Sequence, residues 1–261
     1  MSDIQNIKTM AEFMAEGKQP ELLFWVGSAG SYDDRAKKIT KAFVKLLHAA
    51  KVDFAVLGTE ESSTGDVAKR AGNEFLFQMQ AMSNIELLNS YGVKTIVTCD
   101  PHSYNCIKNE YPGLGGIYQV FHHTQYIKQL IDSGRFVLTG NTYKNKRITF
   151  HDPCYLGRAN GEYDAPRTIL KHTGANLIEM KRHKNTALCC GAGGAQMFKE
   201  PEKGNKDINI LRTEDALETK PNIIATGCPY CNTMMTDGVK NKEKETEILV
   251  LDVAELLANT L

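Results

Sequence analysis

The sequence predicts an α/β protein built as two pseudo-symmetric halves, each a small parallel sheet flanked by helices. Three observations predict it. Short apolar runs alternate with segments of helical period along the whole chain. The strongest of the runs, such as Leu22–Val26, are apolar throughout rather than at every second residue, as in parallel strands covered on both faces. The order of turn and site motifs in the first half returns in the second, so the chain carries an internal repeat.

The elements follow in chain order. Leu22-Leu23-Phe24-Trp25-Val26-Gly27 reads as a buried strand ending in glycine. Asp33 to Ala50 places Ala36, Ile39, Phe43, Leu46 and Leu47 on one helical stripe. Val52 to Gly58 is the next strand, and a long helix is expected from about Asp66 to Ser90. Val93 to Thr98 and Tyr118 to Phe121 are the third and fourth strands. The turn-rich stretch around Gly140-Asn141-Thr142 is the expected hinge, which divides the chain into residues 1–143 and 144–261. Arg147 to Phe150 opens the second half, and Asn222 to Gly227 and Glu247 to Leu251 are its later strands, with helices between. In such sheets, sites form beyond the carboxyl ends of the strands. Ser28, Asp100, Cys154 and Cys228 all stand there.

The second half concentrates thiols at these positions. Cys154 is followed by the adjacent pair Cys189-Cys190 and then by Cys228-Pro229-Tyr230-Cys231, a C-x34-CC-x37-C-x2-C spacing. Five thiols flanked by Gly and Pro exceed what a packed core requires and read as a metal site, an iron–sulfur cluster ahead of a structural zinc. Adjacent cysteines chelate one ion together poorly but can each reach a different iron of one cluster. Gly191, Gly193 and Gly194 let backbone N–H groups turn toward sulfur. Cys228 and Cys231 open a helix whose N-terminus favours thiolate, and Pro229 suits the first turn.

The repeat sets Val26-Gly27-Ser28 on Asp152-Pro153-Cys154, Ser62-Ser63 on Cys189-Cys190, Asp100 on Cys228 and Ser103 on Cys231. The intervals nearly match: 33 residues separate Ser28 from Ser62 against 34 between Cys154 and Cys189, and 36 separate Ser63 from Asp100 against 37 between Cys190 and Cys228. Serine hydroxyls are poor ligands where soft thiolate is selected, so the first half is expected to hold no cluster.

Composition sets bounds. Lys+Arg and Asp+Glu balance at 31 each, which leaves no nucleic-acid or membrane footprint in the net charge. The start, Met1 to Gln5, is polar, and no apolar run approaches the ~18 residues a membrane span needs. Seven cysteines without an apolar leader point to a reducing, cytoplasmic setting and to ligands rather than disulfides.

The motifs His151-Asp152-Pro153-Cys154-Tyr155-Leu156-Gly157-Arg158, Cys189-Cys190-Gly191-Ala192-Gly193-Gly194 and Cys228-Pro229-Tyr230-Cys231 resemble the cysteine-rich CCG-domain family. That family includes the subunit-B type of heterodisulfide reductase and the iron–sulfur subunits of bacterial lactate and glycerol-3-phosphate oxidation systems. Leu57-Gly58, Thr64-Gly65-Asp66, Gly72-Asn73-Glu74 and Asn109-Glu110-Tyr111-Pro112 extend the likeness over the first half. The resemblance implies one non-cubane four-iron cluster per chain, held by Cys154, Cys189, Cys190, Cys228 and Cys231. It also implies an oxidoreductase subunit acting within a larger complex. Its partner would be a ferredoxin-like or membrane-bound subunit of the subunit-C type, and its substrate a disulfide or thiol. Ser28, Ser62, Ser63, Asp100 and Ser103 depart from the family's two-cluster pattern.

Other residues have plainer readings. Cys99 and Cys106 read as core thiols. His122 and His123 read as cap residues near the site edge, with a substrate hydrogen bond as the alternative. His151 and Asp152 would orient the first ligand. Asp100 and His102 would form a polar pocket or satisfy loop amides. Two other functions stand against the redox subunit: a zinc-stabilised binding module without redox activity, and an enzyme whose substrate fills the first-half pocket.

Overall fold

The structure, a computed structural model, describes residues 7–135, 142–200 and 203–261. The polar start Met1–Gln5 and most of the expected hinge, Gly140 and Asn141, lie outside the described residues. The chain forms two compact units, Met1–Phe136 and Val137–Leu261.

In the first unit, α1 (Met10–Ala15) is capped reciprocally by Thr9 and Glu12. Then come β1 (Leu22–Trp25), α2 (Gly27–Tyr32), α3 (Ala36–Ala49), β2 (Phe54–Ala55), α4 (Asp66–Arg70), α5 (Glu74–Ser90) and β3 (Thr95–Thr98). The helix α6 (Pro101–Asn105) continues as a π turn over Cys106–Glu110, and β4 (Gln119–His122) and α7 (His123–Asp132) close the unit. The second unit runs β5 (Arg147–Phe150), α8 (Asp164–His172), β6 (Asn176–Leu177), α9 (Ile208–Glu218), β7 (Ile223–Thr226), α10 (Pro229–Asn241), β8 (Leu249–Asp252) and α11 (Val253–Ala258).

The two sheets have one topology. The first is ordered β2-β1-β3-β4 and the second β6-β5-β7-β8, all neighbours parallel. Their centres are sealed by fully buried strands, Leu22-Leu23-Phe24-Trp25 in one and Ile223-Ile224-Ala225-Thr226 in the other. Helix α3 buries Ala36, Ile39, Phe43, Leu46 and Leu47, the stripe its periodicity predicts. In each sheet the strands stay parallel, but the order in which they are added reverses between the two central strands. The crevice beyond the carboxyl ends of those strands is where such sheets bind ligands. For the second unit that crevice lies beyond β5 and β7, which lead to Cys154 and Cys228.

Three local features differ from the sequence reading. The long helix expected over Asp66–Ser90 is broken: Gly72 adopts φ +84° and ends α4, and the Asn73 side chain accepts from Leu76 N at 3.1 Å to start α5. A short helix, α2, precedes α3. The two-residue strand β6 was not expected, although the repeat pairs it with β2.

Candidate metal centre

The three site segments are placed by the switch-point crevice, and the first two are pinned by charged hydrogen bonds. Phe150 ends β5, and His151 N still donates to Ala225 O at 2.9 Å, so the ladder runs to the edge of the site. Asp152 then leaves the sheet. Its carboxylate accepts two hydrogen bonds from Arg167, at 2.7 and 2.9 Å, and one from Lys184 N at 2.8 Å. Arg167 reaches Glu179 in the same bidentate manner, at 2.7 and 2.9 Å. Arg158 donates to the carbonyl of Ala187, tying the Cys154 loop to the loop that leads into Cys189. Gly157 is required there because a Cβ would lie 2.5 Å from the Tyr163 ring. Asp152 therefore fixes the approach of the 184–190 segment, not the Cys154 side chain alone.

The Cys189-Cys190 turn depends on Gly191 at φ +92°, a region closed to most side chains. That conformation aims Gly191 N at Cys189 Sγ, 3.3 Å away. Cys228 is the N-cap of α10. Its sulfur accepts from Cys231 N at 3.5 Å, and Pro229 stands at the first helical turn. Cys231 Sγ lies 3.3 Å from Cys190 Sγ, beyond disulfide length and in hydrogen-bond range for thiols. All five cysteines are free. Cys190, Cys228 and Cys231 are buried with Ala192, against Met197, Tyr230 and Met234, while Cys154 and Cys189 are half-buried and form the accessible side. Hydrogen bonds from Cys154 and Cys190 hold Cys189 far below the ordinary thiol range, and the same interaction pushes Cys154 up.

Behind the sulfurs stands His151, completely buried. One of its ring nitrogens and the sulfurs of Cys190 and Cys231 lie within 4.8 Å of one another. Arg212 of α9, also fully buried, donates from Nε to His151 Nδ1 at 3.0 Å. Burial and the Arg212 charge push the imidazole down to about 3, so it stays neutral. Its Nε2 is buried without a hydrogen-bond partner in the protein. The soft donor set, the convergent sulfurs and this N–H aimed at no protein acceptor fit an iron–sulfur cluster. Sequence reasoning missed Arg212, which carries no motif signal on α9.

The first unit repeats the scaffold with different chemistry. Asp100 caps α6 as Cys228 caps α10. Its carboxylate accepts from His102 N at 2.9 Å, Ser103 N at 3.1 Å and Ser103 Oγ at 2.7 Å, so it satisfies loop amides. His102 instead pairs with Asp66, Nδ1 to Oδ2 at 3.0 Å. Ser62 Oγ donates to Asn84 Oδ1 at 2.8 Å, and Asn84 Nδ2 donates to Ser63 O at 2.8 Å. Cys106 is a buried core thiol that donates to Thr64 O, and Cys99 is buried as well. His122 ends β4 and caps α7, its backbone N–H bonded to Gln125 Oε1 at 3.1 Å and its ring to Thr124 Oγ1 at 2.7 Å.

Glu61 is the other residue sequence reasoning missed. Its carboxylate accepts from Val26 N at 2.9 Å and Gly27 N at 2.6 Å, at the strand-end turn that corresponds to Asp152-Pro153. The available signal was a charge at the repeat position of Leu188. Burial outweighs those two hydrogen bonds and raises Glu61 from 4.5 to about 7. The folded chain then holds this proton more tightly than the unfolded one. Stability from this group is full below pH 4.5 and is lost as pH rises to about 7. The loss is up to about 3 kcal/mol. Glu61→Gln is expected to remove that slope. Urea unfolding at pH 5 and pH 8 checks it: the variant should gain on the wild type only at the higher pH, and an equal difference at both contradicts the assignment.

No helix of the described residues is long and apolar enough to cross a membrane. A family profile described as cysteine-rich domain, CCG, matches residues 23–108 and 148–236, one copy in each unit. The chain is 51% identical over 98% of its length to the probable iron-sulfur-binding oxidoreductase FadF of Bacillus subtilis, covering 36% of that protein. It is 44% identical over 98% of its length to the EtfAB:quinone oxidoreductase of Syntrophomonas wolfei, again covering 36%. Against a subunit of the dihydromethanophenazine:CoB–CoM heterodisulfide reductase of Methanosarcina barkeri it is 31% identical over 92% of its length, covering 59%. The chain thus spans about a third of the first two relatives. With the two profile copies falling on the two repeated sheets and the cysteine motifs at the switch point of the second, the chain belongs to the cysteine-rich CCG-domain family.

Proposed function

We propose that this chain is the iron–sulfur module of a redox complex. It would bind one non-cubane four-iron cluster at Cys154, Cys189, Cys190, Cys228 and Cys231 and exchange electrons with a disulfide or thiol substrate or with a partner subunit. The observation that carries the reading is the packing of Cys189, Cys190, Cys228 and Cys231 together in one switch-point crevice, with Cys154 hydrogen-bonded to Cys189 at its edge, backed by a buried N–H with no protein acceptor. The relatives' names support it: one is an iron-sulfur-binding oxidoreductase, one an EtfAB:quinone oxidoreductase, and one belongs to a heterodisulfide reductase. The partner suggested by this kinship is a ferredoxin-like or membrane-bound subunit.

Bound there, the group supplies one-electron transfer. The chain's own residues do the rest. Cys190, Cys228 and Cys231 exclude water from the inner side, and the half-buried Cys154 and Cys189 present the face that a substrate or partner reaches. Gly191 N–H and the α10 N-terminus stabilise negative charge on sulfur. The first unit, with Ser28, Ser62, Ser63, Asp100 and Ser103 in place of thiols, holds no cluster on this reading. Residues 1–143 and 144–261 are then a cluster-free half and a cluster-binding half.

Anaerobic stopped-flow mixing tests the function. Protein reduced with dithionite is mixed with oxidised ferredoxin or with a small cyclic disulfide, two protein equivalents supplying the two electrons a disulfide needs. Return of the oxidised visible spectrum with either acceptor supports the proposal. An intact chromophore that neither acceptor reoxidises contradicts it.

A further inference from the structure

Of the two ring nitrogens of His151 one has a protein partner, and the identity of that partner fixes the role of the other. Nδ1 lies 3.0 Å from Arg212 Nε. A guanidinium N–H only donates, so Nδ1 must accept and carries no proton. The single imidazole proton then sits on Nε2, which is buried and without a protein partner. A histidine that ligates a metal does the opposite: it offers a lone pair to the ion and donates its second N–H to a carboxylate, carbonyl or water. Here the position of that acceptor is taken by a donor.

The donor cannot swing away. Arg212 is fully buried, its Nη1 bonded to Arg182 O at 2.6 Å and Asp215 Oδ2 at 3.3 Å. Asp215 is held in turn by Arg182 at 2.8 and 2.5 Å. So although His151, Cys190 and Cys231 cluster within 4.8 Å, as a three-residue metal site would, the tautomer removes the imidazole from the ligand set.

We infer that Arg212 locks His151 as an N–H donor to the sulfur of the cluster held at Cys190 and Cys231, and that this bond raises the reduction potential. The inference rests on the cluster reading above. A fixed N–H toward sulfur favours the more negative, reduced state, and the cation behind the ring polarises the N–H further. The repeat is consistent with this. Phe24 pairs with Val97 as Phe150 pairs with Ala225, which sets Trp25 at the place of His151. The unit that lacks the thiols has a fully buried indole where the cysteine-bearing unit has the imidazole.

Pulsed electron paramagnetic resonance on the reduced wild-type protein, labelled with ¹⁵N-histidine and exchanged into D₂O, tests the assignment without a mutation. A weakly coupled nitrogen with one exchangeable proton is expected. A strongly coupled nitrogen bonded to iron overturns the inference, and so does the absence of any histidine coupling. Redox titration of two variants gives an independent readout. In His151→Leu the reduced-to-oxidised ratio at a fixed potential should fall about tenfold, equivalent to about 59 mV for one electron. His151→Gln, whose amide donates from nearly the same place, should recover most of it. Equal potentials in wild type and the leucine variant overturn the inference. A wild-type protein without iron and labile sulfide overturns the cluster reading itself, and is told apart because it has no signal to titrate.

Discussion

Cys190→Ser is expected to strip the protein of iron, from about four atoms per chain to fewer than about one. The residue is 3% exposed, and its sulfur touches Cys231 Sγ at 3.3 Å, so it has no slack to be replaced from a neighbouring position. A hydroxyl is a hard donor on a shorter bond and does not meet the preference of iron–sulfur chemistry for thiolate. The fold should survive. Serine fits the volume, and its hydroxyl can donate to Cys231, which limits the cost to about 1–2 kcal/mol. Circular dichroism and iron analysis on the same sample check both halves of the claim. Cys106→Ser is the control: that thiol lies in the other unit, bonded to Thr64 O, and its loss should leave the iron unchanged. Full iron in the Cys190 variant would contradict the ligand assignment.

The second large effect concerns the first unit. Its scaffold keeps the parallel order β2-β1-β3-β4, the helix cap at Asp100 and the proline after it. What differs is the donor set, together with a carboxylate, Glu61, seated on Val26 N and Gly27 N. Restoring cysteine at Ser28, Ser62, Ser63, Asp100 and Ser103, with Glu61→Leu to match Leu188, should therefore add a second cluster and raise iron from about four to about eight per chain. The five cysteines alone should add less, because an anionic cluster beside a buried carboxylate is penalised twice, by burial and by like charge. Iron and sulfide counts on the two variants distinguish the cases. If neither takes up more iron than the wild type, the account of the first unit as a copy with lost ligands is wrong.

Much of this was legible in the sequence because the signals were local. Apolar runs such as Leu22–Trp25 and Ile223–Thr226 can hardly be anything but buried strands, and the cysteine spacing marked the crevice that the sheet order then produced. The register of Asp100 on Cys228 was readable because both precede Pro at a helix start. The misses have physical reasons. The Gly72-Asn73 break is marked only by a glycine and a capping residue, and the flanking segments carry no helical stripe whose phase could show that they are two helices. Strand β6 has two residues, too few to show any period. Arg212 and Glu61 act through pairings across 61 and across 34 and 35 residues, which no local pattern encodes. Asp152 and Arg158 were visible as motif residues, but their work of pinning the 184–189 segment emerges only with the fold.

The measurement that tests the central claim most directly is iron, zinc and acid-labile sulfide on anaerobically purified protein, with an electron paramagnetic resonance spectrum. The account predicts about four irons with matching sulfide per chain and a signal that responds to reduction. One zinc and no sulfide would contradict it, leaving the five thiols as a structural site.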